Sequence, residues 1–166
     1  KRMSTLNQSL LMLSKIENQQ FKDKEEVVFN DVVKTMISDF SSIWEFKSIE
    51  LDLIENGEFK TIINKDLAYS LLSNLFKNAI KHNTNNGKII IELDNHSLKI
   101  KNNSNRKTPL NSRDIFNRFY KESGDQLSTG LGLSIVKTIV DHHSNINIYY
   151  DFEDPFHIFS LKNKNS

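Results

Sequence analysis

"NLFKNAIKHN", residues 74–83, lies inside a strongly apolar helical pattern, yet it is crowded with amides and lysines. Asparagine is an indifferent helix former, because its side chain competes with the backbone for hydrogen bonds. At about 100° per residue, Ala68, Tyr69, Leu71, Leu72, Leu75, Phe76, Ala79 and Ile80 fill one broad side of a helix predicted from Asp66 to Asn83. Ser70, Ser73, Asn74, Lys77, Asn78 and Lys81 share the remaining arc. A narrow polar stripe therefore runs along an otherwise buried helix. Taken alone it reads as a solvated face. The flanking sequence changes that reading.

Upstream, Val27 to Phe29 reads as a short strand, and Asn30 or Asp31 as the cap of a helix with Val32, Val33, Met36, Ile37 and Phe40 as its stripe. "IELDLI" (49–54) alternates strictly and "EFKTII" (58–63) follows the turn at Asn56-Gly57, which predicts a hairpin. Downstream, "GKIIIEL" (87–93) and "SLKIKN" (97–102) form a strand pair joined at Asp94 to His96. Residues 102–108 are a polar loop closed by Pro109, "SRDIFNRFY" (112–120) a short helix, and "KESGDQLSTG" (121–130) a flexible loop. "LGLSIVKTIVDHH" (131–143) begins a helix just after glycine, and "INIYYDF" and "FHIFSLK" close the chain as two alternating strands. This order predicts an α+β fold: a two-layer sandwich with a mixed, mostly antiparallel sheet and helices on one face.

Composition bounds the function. The 166 residues suffice for one domain with its own core. Basic and acidic residues number 22 and 21, which speaks against the broad basic field of a nucleic-acid binder. Cysteine is absent, which removes thiol catalysis, disulfides and zinc–cysteine sites and fits a cytoplasmic setting. No apolar run approaches the ~20 residues that cross a bilayer, so no membrane contact is expected of this stretch. Lys-Arg-Met at the start is already helical in character, and a piece cut from a longer chain is expected. Met3, Leu6, Leu10 and Leu13 recur at 3-4-3 spacing on a helix too short for a coiled coil alone. A partner helix from a second subunit or from elsewhere in the parent is expected to cover them; the alternative is an amphipathic helix packed on its own domain. "ENQQFKDKEE" (17–26) then reads as a polar linker.

"STGLGLSIVK" (128–137) places Gly130 and Gly132 before and at a helix start, where uncovered backbone N–H groups and the helix dipole can hold a phosphate. It follows no strand and lacks the Gly-Lys-Ser/Thr ending, so it is neither a P-loop nor a Rossmann turn. An Asn-x-x-x-Asn-Ala helix, a polar loop behind a strand, "IFNRFYK" and "TGLGLSIVK" succeed one another in that order. Over roughly residues 26–162 this resembles the catalytic ATP-binding domain of bacterial sensor histidine kinases, in the superfamily shared with gyrase and heat-shock ATPases. In the family's terms the three stretches resemble the N box, F box and G2 box, and "LLMLSKIENQ" (10–19) the end of the second dimerisation helix. The implied division is residues 1–23 as the end of that helix plus linker, and 24–166 as the catalytic domain.

The resemblance implies ATP and Mg²⁺ as ligands. It makes Asn78 the Mg²⁺ ligand through its amide oxygen, with Asn74 one turn away toward the triphosphate. Mg²⁺ takes oxygen ligands and keeps waters and phosphates around it, and neutral amides do not repel those phosphates. Lys81 then faces a phosphate, and His82 stands where the family often has an aromatic ring near adenine. Tyr120 and Lys121 match positions near the base or the γ-phosphate. Thr129, Gly130, Leu131, Gly132 and Leu133 form the glycine-led cradle, and residues 122–128 the lid. One motif departs. Where the family has Asp-x-Gly-x-Gly, the aligned "NNSNR" has Asn102, with Ser104 and Arg106 in place of both glycines. Asn102 can still accept a hydrogen bond from the adenine amino group, without the charge that makes such bonds roughly twice as strong.

A phosphoacceptor histidine is normally followed by Glu and, further on, Pro on the first dimerisation helix. His82, His96, His142, His143 and His157 lack that context, and His142 and His143 are placed to answer a helix dipole. The acceptor is therefore expected outside these residues, and no catalytic residue is assigned within them. The expected function is γ-phosphoryl transfer from Mg·ATP to a histidine, then to an aspartate of a response regulator receiver domain. The parent is expected to be a homodimeric, membrane-anchored sensor with this part in the cytoplasm. The competing reading is a non-catalytic scaffold of the same fold with a degenerate adenine loop.

Overall fold

The computed structural model describes residues 2–121, 128–143 and 145–164. The chain runs α1 (Arg2–Glu17), β1 (Glu25–Val28), α2 (Phe29–Asp39), α3 (Ser41–Phe46), β2 (Glu50–Glu55), β3 (Lys60–Ile63), α4 (Lys65–Lys81), β4 (Lys88–Leu93), β5 (Ser97–Asn103), α5 (Gly132–Asp141), β6 (Ile146–Glu153) and β7 (Phe156–Asn163). Five strands form one sheet in the order β2-β4-β5-β7-β6, in which only β2 and β4 run parallel. A separate two-stranded sheet pairs β1 with β3.

Because side chains alternate along a strand, the helix-facing side of the large sheet resolves into three rows. Leu93, Leu98, Leu161 and Ile148 make one row, and Ile91, Ile100, Phe159 and Tyr150 the next. The third reads Ile89, Asn102, His157, Phe152. Two polar residues thus stand side by side, buried, at one end of an otherwise apolar face. The opposite face carries charge, with Lys101 paired to Glu92 at 2.7 Å.

α4 lies across the buried face with Leu67, Leu71, Leu72, Leu75, Phe76, Ala79 and Ile80 in the core. Each large apolar side chain buried in this way is worth roughly 1.5–3 kcal/mol. Asn64 caps the helix, its side chain accepting from the backbone of Asp66 and Leu67. Lys47 donates from Nζ to the carbonyls of Ile80 and Lys81, a cation where the helix dipole is negative.

Four expectations are corrected. Strands β2 and β3 do not form a hairpin: β2 pairs with β4 and β3 with β1. The turn between them is tied instead by Asn30, which donates to Glu55 at 2.7 Å and to the Gly57 carbonyl at 3.0 Å and accepts from the Phe59 backbone at 3.1 Å. Asn30 is therefore a buried tie inside α2 and not its cap, and Val28 precedes the helix with no side-chain cap. The stretch 112–120 forms irregular turns, closed by bonds such as Asn117 N–H to the Asp114 carbonyl, rather than a helix. Asp114 accepts from the side chains of Asn111 and Asn117, and Phe119 takes a left-handed φ of 62°, which helix geometry does not permit. Finally, α1 does not wait wholly on an outside partner. Leu13 and Ile16 are buried in the domain's own core, whereas Leu10 and Leu11 remain exposed at 38% and 57%. α3 was not foreseen.

Candidate functional site

A cleft of about 570 Å³ opens between α4, the turn segment after β5 and the start of α5. Eleven of the twelve residues expected at a nucleotide site line it: Asn74, Asn78, Lys81, His82, Asn102, Tyr120, Lys121, Thr129, Gly130, Gly132 and Leu133. Leu131 does not; it is fully buried beneath the cradle as the residue preceding α5. Of the proposed lid, Ser128 lines the cleft, and residues 122–127 lie outside the described residues.

Helix periodicity puts Asn74, Asn78 and Lys81 on the cleft side of α4 while the leucines face the sheet. Asn74 donates from Nδ2 to the Ser70 carbonyl at 2.8 Å. Its Oδ1 faces Gly132, where an added Cβ would approach to 3.2 Å. Glycine at the first residue of α5 therefore lets the two helices meet. Leu131 supplies no side-chain cap, so the first N–H groups of α5 are not covered by the usual capping oxygen.

Gly130 joins this wall to the turn segment. Its φ is +70°, and an added Cβ would lie 2.8–2.9 Å from Phe119 and Tyr120 backbone atoms. Both the conformation and the contact demand glycine. They bring the Phe119–Tyr120 backbone against the cradle.

The other end of the cleft is floored by Asn102 and His157, neighbours in register on β5 and β7. Asn102 is 2% exposed and donates from Nδ2 to the Asn103 carbonyl at 3.4 Å. The loop that departs from the glycine pattern runs on from there and needs no glycine. Among the described residues, the non-glycine positions with positive φ are Gln19, Ser48, Asn86 and Phe119, none of them in this loop. Ser104 Oγ accepts from Arg106 N, and the Arg106 guanidinium straps back onto the carbonyls of Thr108 and Pro109 at 3.2 and 3.3 Å. Arg106, Leu110, Ile115, His157 and Phe159 also line the cleft and were not expected there. His157 alternates in register with Phe159 on an apolar strand, a signal that it points inward.

The remaining histidines stand away from the cleft or at its rim. His82 is half-buried at the end of α4, its N–H bonded to the Asn78 carbonyl. His96 is exposed in a turn. His142 and His143 meet the Thr138 and Ile139 carbonyls through Nδ1 at 2.8 and 2.6 Å, as their place at a helix end predicts. Burial pushes the His143 pKa below its ordinary value, so this ring answers the dipole as a neutral donor and not as a cation.

A profile of the histidine kinase-, DNA gyrase B-, and HSP90-like ATPase family matches residues 63–162, which span the cleft from α4 to β7. The heme sensor protein HssS of Staphylococcus saprophyticus is 32% identical over 155 residues, covering 88% of this chain and 33% of that protein. HssS of Staphylococcus aureus strain Newman is 35% identical over 152 residues, 87% of this chain. The chain thus spans about a third of the curated relatives it matches. Among solved structures, Acinetobacter baumannii histidine kinase AdeS superposes with a TM-score of 0.74 at 24% identity, covering 96% of this chain and 77% of that one. Histidine kinase ThkA in complex with the response regulator protein TrrA gives 0.71 at 20%, covering 98% of this chain and 49% of that one. With an amide-bearing helix, a glycine-led helix start and a floor of paired strands all inside the matched segment, the chain belongs to the histidine kinase-, DNA gyrase B-, and HSP90-like ATPase family.

Proposed function

We propose that this chain binds Mg·ATP in the cleft and, within a longer sensor kinase, delivers the γ-phosphoryl to a histidine outside these residues. The observation that carries the reading is the convergence, across one cleft, of the α4 amide–lysine stripe and the glycine-led start of α5. The relatives named as sensor proteins and histidine kinases support the chemistry.

The triphosphate lies along α4, with Lys81 as a point charge and the α5 N–H groups as donors. The donor set suits magnesium. The cleft offers the amide oxygens of Asn74 and Asn78, and among the described residues no group of three or more His, Asp or Glu side chains gathers to hold a metal alone. An ion bound chiefly by phosphates and water needs only such neutral help, and Asn78 supplies it; the ion neutralises phosphate charge when bound. The adenine end lies over Asn102, whose amide oxygen accepts from the base amino group. Phosphoryl transfer depends mostly on positioning and charge neutralisation, which amides, lysines and backbone donors provide.

Residues 1–23 belong in this reading to the dimerisation helix and linker of a homodimeric parent, and 24–166 to the catalytic domain. The onward acceptor is a receiver domain, as the ThkA–TrrA complex suggests by analogy. The cleft faces the cytoplasm of a membrane-anchored parent; no described helix is long and apolar enough to cross a membrane. A thermal-shift titration with Mg·ADP tests the binding step. Stabilisation of ~2.7 kcal/mol is expected at a hundredfold excess over Kd, and no shift at millimolar ligand would favour the scaffold reading. Incubation with γ-labelled ATP should label a separate piece carrying the dimerisation helices and not this chain.

A further inference from the structure

Beneath the base end of the cleft, one chain of hydrogen bonds ties both ends of the 106–110 loop to the sheet. The Leu110 N–H donates to Tyr150 Oη at 2.9 Å, Tyr150 Oη meets His157 Nδ1 at 2.8 Å, and His157 Nε2 meets the Arg106 carbonyl at 3.2 Å. A carbonyl can only accept, so Nε2 carries the proton. In the neutral ring Nδ1 is then the acceptor, and the Tyr150 hydroxyl donates to it. With the ring neutral, the relay runs from the Leu110 amide to the Arg106 carbonyl. The ring is also gripped on its faces, stacked on Tyr150 at 6.0 Å and tilted against Phe152 at 4.9 Å. It is 5% exposed. With both nitrogens engaged inside the protein, His157 is spoken for before any ligand arrives.

We infer that His157 and Tyr150 are positioning residues for base recognition: they hold the Arg106–Leu110 loop at the depth at which Asn102 meets the purine. This rests on the proposed nucleotide reading and adds to it the residues that set base affinity separately from phosphate affinity. Arg106 and Leu110 both line the cleft, and Asn102 is the cross-strand neighbour of His157. A loop without glycines has to be shaped by its attachments, and these are its attachments to the sheet. The phosphate-binding residues of α4 and α5 take no part in the relay.

The experiment is calorimetric titration of the 166-residue chain and its variants with ADP, GDP and inorganic tripolyphosphate, each with Mg²⁺. His157→Phe keeps the aromatic packing and removes both bonds. It should weaken ADP about five- to tenfold, the worth of a hydrogen bond or slightly more, narrow the ADP-over-GDP preference and leave tripolyphosphate unchanged. Tyr150→Phe should act in the same direction, less strongly. His157→Gln should restore much of the ADP affinity, because an amide offers one acceptor and one donor at a spacing close to that of the ring nitrogens. Equal losses for ADP and tripolyphosphate, or an unchanged ADP/tripolyphosphate ratio in His157→Phe, would overturn the inference while leaving the nucleotide site standing. If the unsubstituted chain binds ADP no better than tripolyphosphate, the base site itself is wrong and the inference falls with it.

Discussion

The two ends of the cleft are built by different means. Where phosphates are proposed to lie, the groups sit on regular helices: Asn74, Asn78 and Lys81 on α4, and backbone N–H groups at the start of α5. Where the base is proposed to lie, the groups sit on paired strands and an irregular loop, joined by side chains remote in sequence. One end is shaped by backbone geometry and glycine, the other by a side-chain network. Damage to the first should be steep and should reach stability; damage to the second should be graded and confined to base preference.

The largest effect is expected at Gly130. Alanine there would have to adopt a φ of +70° with its Cβ 2.8–2.9 Å from Phe119 and Tyr120 backbone atoms. Strain and overlap together should cost about 2–5 kcal/mol and lower affinity for ADP and tripolyphosphate alike. Chemical denaturation and titration measure both. Unchanged tripolyphosphate affinity in a folded variant would break the link drawn here between backbone geometry and phosphate binding.

Next is Asn78→Ala, which should leave the fold intact and abolish the difference between titrations with and without Mg²⁺. The loss with Mg²⁺ should be about ten- to a hundredfold, since hydrogen-bonded and charged contacts are worth about 1.5–3 kcal/mol. Persistence of the parent's magnesium dependence would remove Asn78 from the metal.

A smaller change is expected at Asn102. Alanine should weaken ATP about three- to tenfold and narrow discrimination against GTP, which carries a carbonyl where ATP carries its amino donor. Aspartate should hold or improve ATP affinity. Identical ATP and GTP binding by the unsubstituted chain would show that this end does not read the base at all.

His143, outside both ends, is the control and the smallest effect. Its folded pKa lies below the ordinary 6.5 because burial disfavours the charged ring. The unfolded state therefore binds more protons near that pH, and stability is full above it and declines as pH falls through it. Glu55, bonded by Asn30 and Lys34, is held below its ordinary 4.5, so its own loss comes only at more acid pH. His143→Gln should shrink the difference between urea midpoints at about pH 7.5 and 5.5 without altering nucleotide affinity. A change in affinity would mean the two ends are not the only determinants.

The same contrast explains what the sequence disclosed. Helical periodicity in 66–83 and 131–143 and the alternation in β4, β5, β6 and β7 are local signals, and they located the elements that wall the cleft, while the proposed roles of single residues came from the family resemblance. The β2–β3 hairpin failed because a partner remote in sequence, Asn30, claims the turn, and β2 finds β4 instead. The segment 112–120 has the apolar spacing of a helix, but the Asn111 side chain takes the Arg113 N–H, Asp114 ties the Asn111 and Asn117 side chains together, and Phe119 turns left-handed. His157 and Tyr150 escaped assignment because their roles exist only once β5, β7 and β6 are laid side by side. Leu131 sits within the cradle motif, and its side chain packs inward, fully buried, where the helix begins.

The strap of Arg106 across the Thr108 and Pro109 carbonyls bears on the thermodynamics of ligand capture. A glycine-rich loop must surrender its freedom when the base arrives, at about 1–2 kcal/mol for each backbone residue that becomes fixed. Here the two guanidinium bonds restrain the loop before any ligand arrives. In the proposed base site, an Asn102 amide in place of a carboxylate acceptor forgoes about 1 kcal/mol of charge assistance, no more than the entropy of immobilising one or two loop residues. Arriving ligand should therefore meet a smaller entropic opposition, and the enthalpy surrendered with the missing charge returns as order present beforehand.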